Sequence, residues 1–172
     1  VTGLLGSIAS LITVETGTET AIAAALGTAA DAVAVSSSGS AVSAVELLKS
    51  DDGGRAGIIV ADAPQSAASN ASLPSGARWA IDALTVPDSL RPALSAVLRD
   101  TVLVNSLAAA RDAVAAQPSL RAVTSDGDVV TAGLIVGGSS AVPSLIEVQA
   151  AVDECRSKLD EANHRVERAR FA

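Results

Sequence analysis

Apolar residues recur along this chain in two rhythms. Up to Val136 they come in short runs or at helical spacing, broken repeatedly by Gly, Pro, Ser and Asp, and from Leu145 onward their separations alternate strictly between three and four. In the first stretch, Leu5, Ile8, Leu11 and Ile12 recur at helical spacing, with Gly3 and Gly6 flanking or interrupting the element. Thr18 is placed to cap a helix through Ala21, Ile22, Ala25 and Leu26 that stops at Gly27. Ala32 to Val35 reads as a buried strand. A second helix follows the serines at 36–40, with Val42, Val45, Leu47 and Leu48 as its apolar face and Lys49 in its last turn. Ile58 to Val60 is a strand after the turn Asp51-Asp52-Gly53-Gly54-Arg55, and Ala61 to Ala77 reads as the longest surface loop.

A second round begins at Pro87. A helix carrying Leu90, Leu94, Val97 and Leu98 precedes a strand at Val102-Leu103-Val104. A helix at Ser106 to Ala116 ends before Pro118. Leu120 to Thr124, Val129 to Thr131 and Leu134 to Val136 are short strands, the first two joined by the hairpin signal Asp126-Gly127. Helices and strands thus alternate in both halves, which predicts a mixed α/β (α+β) architecture of short sheets covered by helices. The halves are not obvious sequence repeats. The expected organisation is a first lobe at 1–86, a second at 87–142 and a helical arm at 143–172.

That arm differs in kind. Leu145, Val148, Val152, Cys155, Leu159, Ala162, Val166 and Ala169 form an unbroken a/d seam, and Glu154 with Lys158 and Glu161 with Arg165 sit at i,i+4 in the favourable order. A helix packed on its own domain usually carries a wider apolar stripe. The narrow seam therefore points to a coiled coil, with Cys155 as a small buried residue within it. No other segment carries a matching heptad pattern, so the expected partner lies upstream of Val1.

Composition narrows the chemistry. The chain has 172 residues, 49% of them hydrophobic and 18% charged, with a mean hydropathy of +0.42, which argues against disorder. The longest apolar candidate, Ala21 to Val35, is cut by Gly27 and Asp31 and falls short of the ~18 residues a membrane-spanning helix needs. A net charge of −7 and one Trp, one Phe and no Tyr leave neither a basic field nor an aromatic platform for nucleic acid. One His and one Cys exclude a Cys/His zinc site and an internal disulfide, which fits a reducing compartment. His164 reads as a solvated side chain. No phosphate-binding glycine loop of either common form occurs. No catalytic residue, metal or cofactor is expected. The absence of Met and the start at Val1 suggest an excised or processed piece.

The glycines at Gly133, Gly137 and Gly138, with Ala132 beside them, follow a strand that reads as an edge. Glycine admits a second backbone at close range, so this edge could pair with another chain.

Here the residues resemble a known family. Asp126-Gly127-Asp128-Val129-Val130, followed by Gly133, Gly137-Gly138 and directly by the heptads, looks like the end of the hinge domain of bacterial SMC (structural maintenance of chromosomes) proteins. Gly3 to Ile12, Thr20 to Gly27, Ala32 to Val35, Val45 to Lys49 and Gly54-Arg55-Ala56 resemble the preceding hinge segments in order. The resemblance implies a two-lobed hinge that dimerises, each lobe meeting the other lobe of its partner. Gly133, Gly137, Gly138 and Ala132 would lie at the interface. The chain would arrive along an upstream coiled-coil arm and return antiparallel along it. It implies no catalysis in this piece, since the ATPase heads would lie elsewhere, and a cytoplasmic, nucleoid-associated setting. Two departures stand out. Ala132 occupies a position where the family has Gly, and Asp51-Asp52 replace a more basic turn. DNA contact through Lys49, Arg55, Arg165, Arg168 and Arg170 would therefore be weak. The competing reading is a small-molecule-binding α/β enzyme domain with an oligomerisation helix.

Overall fold

The computed structural model describes residues 2–65, 70–138 and 145–170. The first half supplies β1 (Leu4–Ser7), α1 (Ile8–Leu11), β2 (Thr13–Val14), α2 (Glu19–Leu26), β3 (Val33–Val35), α3 (Ser38–Ser50) and β4 (Ile58–Val60). Then come β5 (Arg78–Trp79), β6 (Leu84–Thr85), α4 (Arg91–Val97), β7 (Thr101–Val104), α5 (Leu107–Ala116), β8 (Arg121–Thr124), β9 (Val129–Val130), β10 (Ile135–Val136) and α6 (Leu145–Arg170).

Two sheets organise these elements. One is three-stranded in the order β1-β3-β4; the other is five-stranded in the order β10-β9-β8-β7-β5. A two-stranded ladder, Thr13 opposite Thr85 and Val14 opposite Leu84, ties the start of the chain to its middle. The strand β5 comes before Val86 in sequence, yet it pairs with β7 in the second sheet, Arg78 opposite Leu103. The expected division at 142/143 lies outside the described residues.

Each sheet contains the same unit: a strand, a covering helix and a parallel strand. In the first, β3 and β4 pair in parallel across α3; in the second, β7 and β8 pair across α5. Both helices begin alike. Ser37 and Ser106 are extended N-caps, and their hydroxyls accept from the Ser40 and Ala109 amides at 3.2 Å. Replacing either serine by Ala should destabilise the fold by about 1 kcal/mol, read as a lower urea midpoint at unchanged slope.

Two sequence expectations need correction. The Leu5–Ile12 spacing yields a strand and a single helical turn. Gly6, at φ 140°, takes the chain through a bulge against β3, and helix begins only once Ser7 caps it. Thr18 sits at the start of α2, but its hydroxyl donates to the Glu15 carbonyl at 2.7 Å instead of capping the helix; Glu19 Oε2 accepts from the Gly17 amide nearby. The apolar face read for α3 from Val42, Val45, Leu47 and Leu48 is covered by this chain only at Leu48. Ala41, Ala44 and Leu48 turn toward the sheet, while Val42, Val45 and Leu47 stay exposed.

The main core runs through both halves. Ile8, Ile22 and Ala34 share one cluster with Leu90, Leu94, Leu103 and Val123, and Ile146 of α6 joins it. A smaller cluster on the other face of the second sheet holds Val102, Val104, Ala110, Val114, Leu120 and Val130. β7 (TVLV) and β8 (RAVT) are covered on both faces, so buried and exposed positions do not alternate along them. Arg121 crosses from β8 to the end of α2, where its guanidinium donates to the Ala25 carbonyl. Burial lowers its pKa from the ordinary arginine value.

Candidate interaction site

The last strand of the second sheet is built from very little. Between β9 and β10 there are two paired positions, Ile135 opposite Val130 and Val136 opposite Val129. The connecting turn is fastened by Thr131: its amide and its hydroxyl both donate to the Leu134 carbonyl at 2.9 Å, and the hydroxyl accepts from the Leu134 amide at 3.1 Å. At the open end Asp128 takes over. Its Oδ2 accepts from the Thr124 hydroxyl at 3.0 Å, and its Oδ1 accepts from the Gly138 amide at 3.2 Å.

Sheet order makes β10 an edge, and its side chains are bare. Leu134, Ile135 and Val136 are 63%, 66% and 55% exposed. A free edge with three consecutive exposed apolar residues is a surface that natural sheets normally cover or charge. Around it the candidate glycines differ in kind. A Cβ added at Gly133 or Gly138 would meet nothing within 4 Å, and Gly138 has φ +126°. A Cβ at Gly137 would overlap the carboxylate of Asp128, lying 2.9 Å from its Cγ. Gly137 therefore has a reason to be glycine within its own chain. Ala132 is exposed on the same turn.

A second apolar surface, not anticipated from the sequence as a site, belongs to the first sheet. Leu4 and Leu5 of the edge strand β1 are exposed, and so are Val42, Val45 and Leu47 on α3. Gly3 sits where β1 meets α3; an added Cβ there would come 2.6 Å from Ser40 Oγ. The available signal was the width of the α3 stripe. Ala41, Val42, Ala44, Val45 and Leu47 together with Leu48 exceed what one sheet face needs.

The arm is docked at its root and free beyond. Ile146, 3% exposed, is buried with Ile22 and Ala9 in the main core, and α6 packs there against α1 and α2. Next to it the Thr20 hydroxyl donates to Glu147 Oε1 at 2.7 Å. Ile146 lies outside the a/d frame, so the seam reading passed it over. The seam residues Leu145, Val148, Val152, Cys155, Leu159, Ala162 and Val166 are exposed or nearly so along the helix. Cys155 is thus exposed in this chain alone, since among the described residues no second helix lies along the seam. The side chain of Ala169 lies outside the described residues. On the polar face Lys158 Nζ meets Glu154 Oε1 at 2.6 Å. Hydrogen bonding and charge attraction between them hold the Glu154 pKa below its ordinary value and raise that of Lys158. The contribution of Glu154 to helix stability is present above the ordinary glutamate pKa and is lost as pH falls through the lowered one. Among the described residues no ion pair joins Glu161 to Arg165; Asp153 and Arg156 approach instead, at 3.9 Å.

The cationic candidates occupy separate elements. Lys49 ends α3 and Arg55 follows the Asp51-Asp52 turn, while Arg165 and Arg168 lie far along α6, all of them exposed. Arg165 is nineteen residues beyond Ile146, about 28 Å along a helix. The side chain of Arg170 is not among those described. His164 is exposed on α6. No group of three or more His, Cys, Asp or Glu converges among the described residues. None of their helices is long and apolar enough to cross a membrane.

Known proteins match this arrangement. Residues 1–114 match the family described as SMC proteins Flexible Hinge Domain. The chromosome partition protein Smc of Mycobacterium tuberculosis is 49% identical over 162 residues, which cover 91% of this chain and 13% of that protein. The chain therefore spans about an eighth of the length of such relatives. Among solved structures, the hinge domain of Geobacillus stearothermophilus SMC, described as an asymmetric dimer, superposes with a TM-score of 0.81 at 28% identity. The match covers 96% of this chain and 71% of that one. The Pyrococcus furiosus SMC hinge domain gives a TM-score of 0.67 at 30% identity, covering 83% of this chain and 79% of that one. With a family match across two thirds of its length and close mycobacterial relatives over nearly all of it, this chain belongs to the SMC hinge family.

Proposed function

We propose that the chain works as a dimerisation hinge, joining two subunits of a chromosome-partitioning SMC protein and reversing the chain into a coiled-coil arm. The observation that carries this reading is the pair of unlike bare surfaces on one chain: the β10 edge with Leu134, Ile135 and Val136, and the first-sheet face with Leu4, Leu5, Val42 and Val45. A twofold arrangement that sets β10 of each subunit against the first-sheet face of its partner would cover both surfaces at once, making each contact twice. Gly133, Gly138 and the neighbouring Ala132 leave room on their own chain for a second backbone. Gly137 stands at the same interface.

The lobes of this reading are 1–86 and 87–142, with β5 as a strap from the first lobe into the second sheet. From residue 143 the arm begins. Its seam from Leu145 to Ala169 takes an antiparallel helix from upstream of Val1, which would bury Cys155. The hinge piece is mechanical and not an enzyme; ATP hydrolysis belongs to other parts of the whole protein. DNA contact through Lys49, Arg55, Arg165, Arg168 and Arg170 is weak, because the net charge of −7 opposes it. The setting is the cytoplasm, at the nucleoid.

Sedimentation equilibrium over nanomolar to high-micromolar concentrations tests this. Twice the chain mass of 17.0 kDa is expected in the micromolar range. A species that stays at single-chain mass up to high micromolar would sink the reading.

A further inference from the structure

We infer that Asp128 is a positioning residue for the dimer edge: its carboxylate staples the departing end of β10 to β8, and Gly137 is glycine to admit that staple. The inference rests on the reading of β10 as the contact edge and goes beyond it, to what holds that edge in shape.

An edge hairpin with two paired positions is marginal by itself, since isolated two-stranded ribbons are barely stable in water. Its turn is fastened by Thr131, which leaves the other end to be held. Asp128 is the residue that reaches it. One carboxylate oxygen accepts from the hydroxyl of Thr124, a buried β8 side chain, and the other accepts from the amide of Gly138, just past β10. The Asp128 amide donates back to Thr124 Oγ1 at 3.0 Å, and the Thr124 amide donates to the Asp128 carbonyl at 2.9 Å. The aspartate is thus fixed to the interior at three points and offers its remaining oxygen to the edge.

Gly137 fits this arrangement: the three atoms nearest to a Cβ added there all belong to Asp128. An added Cβ would overlap Oδ1 and lie 3.1 Å from Asp128 Cβ, an atom that cannot swing away while the β8 bonds hold. A partner binding to β10 gains most when the strand is already shaped, because ordering it on contact would cost affinity. The staple supplies that shape in the free subunit.

A double-mutant cycle on dimer dissociation tests it. Asp128→Ala is expected to weaken the dimer at least tenfold and to speed hydrogen exchange at the Gly138 amide. Asp128→Asn, whose oxygen can still accept from Gly138 and whose NH2 can donate to Thr124 Oγ1, should stay within threefold of the unmodified chain. Gly137→Ala should also weaken the dimer at least tenfold, yet add clearly less in the Asp128→Ala background, where the carboxylate overlap is gone and only the 3.1 Å approach to the remaining Cβ persists. A dimer within twofold of normal for Asp128→Ala, or an equal Gly137→Ala effect in both backgrounds, overturns the staple. If Asp128→Ala does not fold, Gly137→Ala alone decides: unchanged dimer strength and unchanged Gly138 exchange overturn it. Ile135→Glu separates the two levels. If it leaves the dimer intact, the contact edge has been misplaced; if it yields monomers while Asp128→Ala has no effect, only the staple fails.

Discussion

Replacing Ile135 with Glu should turn the dimer into monomers, raising its dissociation constant at least a hundredfold. In the single chain this side chain is 66% exposed on a strand edge, so a glutamate there stays hydrated and costs the subunit little. In the proposed dimer the same carboxylate would sit among apolar side chains, where burying a charge without a partner is severely unfavourable. A twofold interface meets the substitution twice. A hundredfold change corresponds to about 2.7 kcal/mol, or roughly 1.4 kcal/mol for each copy, a modest demand for a buried charge. Sedimentation equilibrium gives the dissociation constant, and far-UV circular dichroism verifies that the subunit is still folded. A folded variant that dimerises normally would show that β10 faces solvent in the assembly.

The second large effect concerns stability. Ile22→Ala should cost about 2–5 kcal/mol, the range for emptying a fully buried aliphatic site. Ile22 lies on α2, which packs against α6 on one side and β8 on another, so its loss loosens the root of the arm and the join between the sheets together. The single tryptophan reports this well. Trp79 stands on β5 and packs against the smaller cluster of the second sheet, away from the cluster that holds Ile22. If the main core makes one cooperative unit of both halves, tryptophan fluorescence and circular dichroism will shift to lower denaturant together. A tryptophan transition that stays in place while the dichroism transition moves would show two independently folding lobes.

Much of the molecule was legible in its residues, for local reasons. The strands β3, β4, β7 and β8 declared themselves as short, mainly aliphatic runs between polar or turn residues. The turn at Asp126-Gly127 was signalled by a dipeptide that tolerates positive φ, and Gly127 has φ +88°. Gly27 ended α2 for the same reason, at φ +54°. What could not be read depends on partners distant in sequence. Leu5 to Ile12 has helical spacing, but β3 lies alongside and captures its first residues as strand. Thr18 has the right side chain for a cap, yet the Glu15 carbonyl competes for its hydroxyl. The two parallel units share caps and crossover without sharing recognisable sequence, since the geometry needs only a serine at the helix start and apolar strands on either side.

The sequence alone determined most of the elements after residue 18 and their order, the spacing of the arm's seam and the absence of residues for a Cys/His zinc site or a phosphate-binding glycine loop, because each of these is set by composition or by spacing along the chain. The tertiary structure alone decided which apolar residues remain bare. Leu134 to Val136 and the outer face of α3 are as apolar as the core, and only the positions of the sheets leave them uncovered. It also decided that Ile146, not the heptad seam, anchors the arm, and that Gly137 makes room for Asp128. Both follow from contacts between segments far apart or in different strands, which no local pattern encodes.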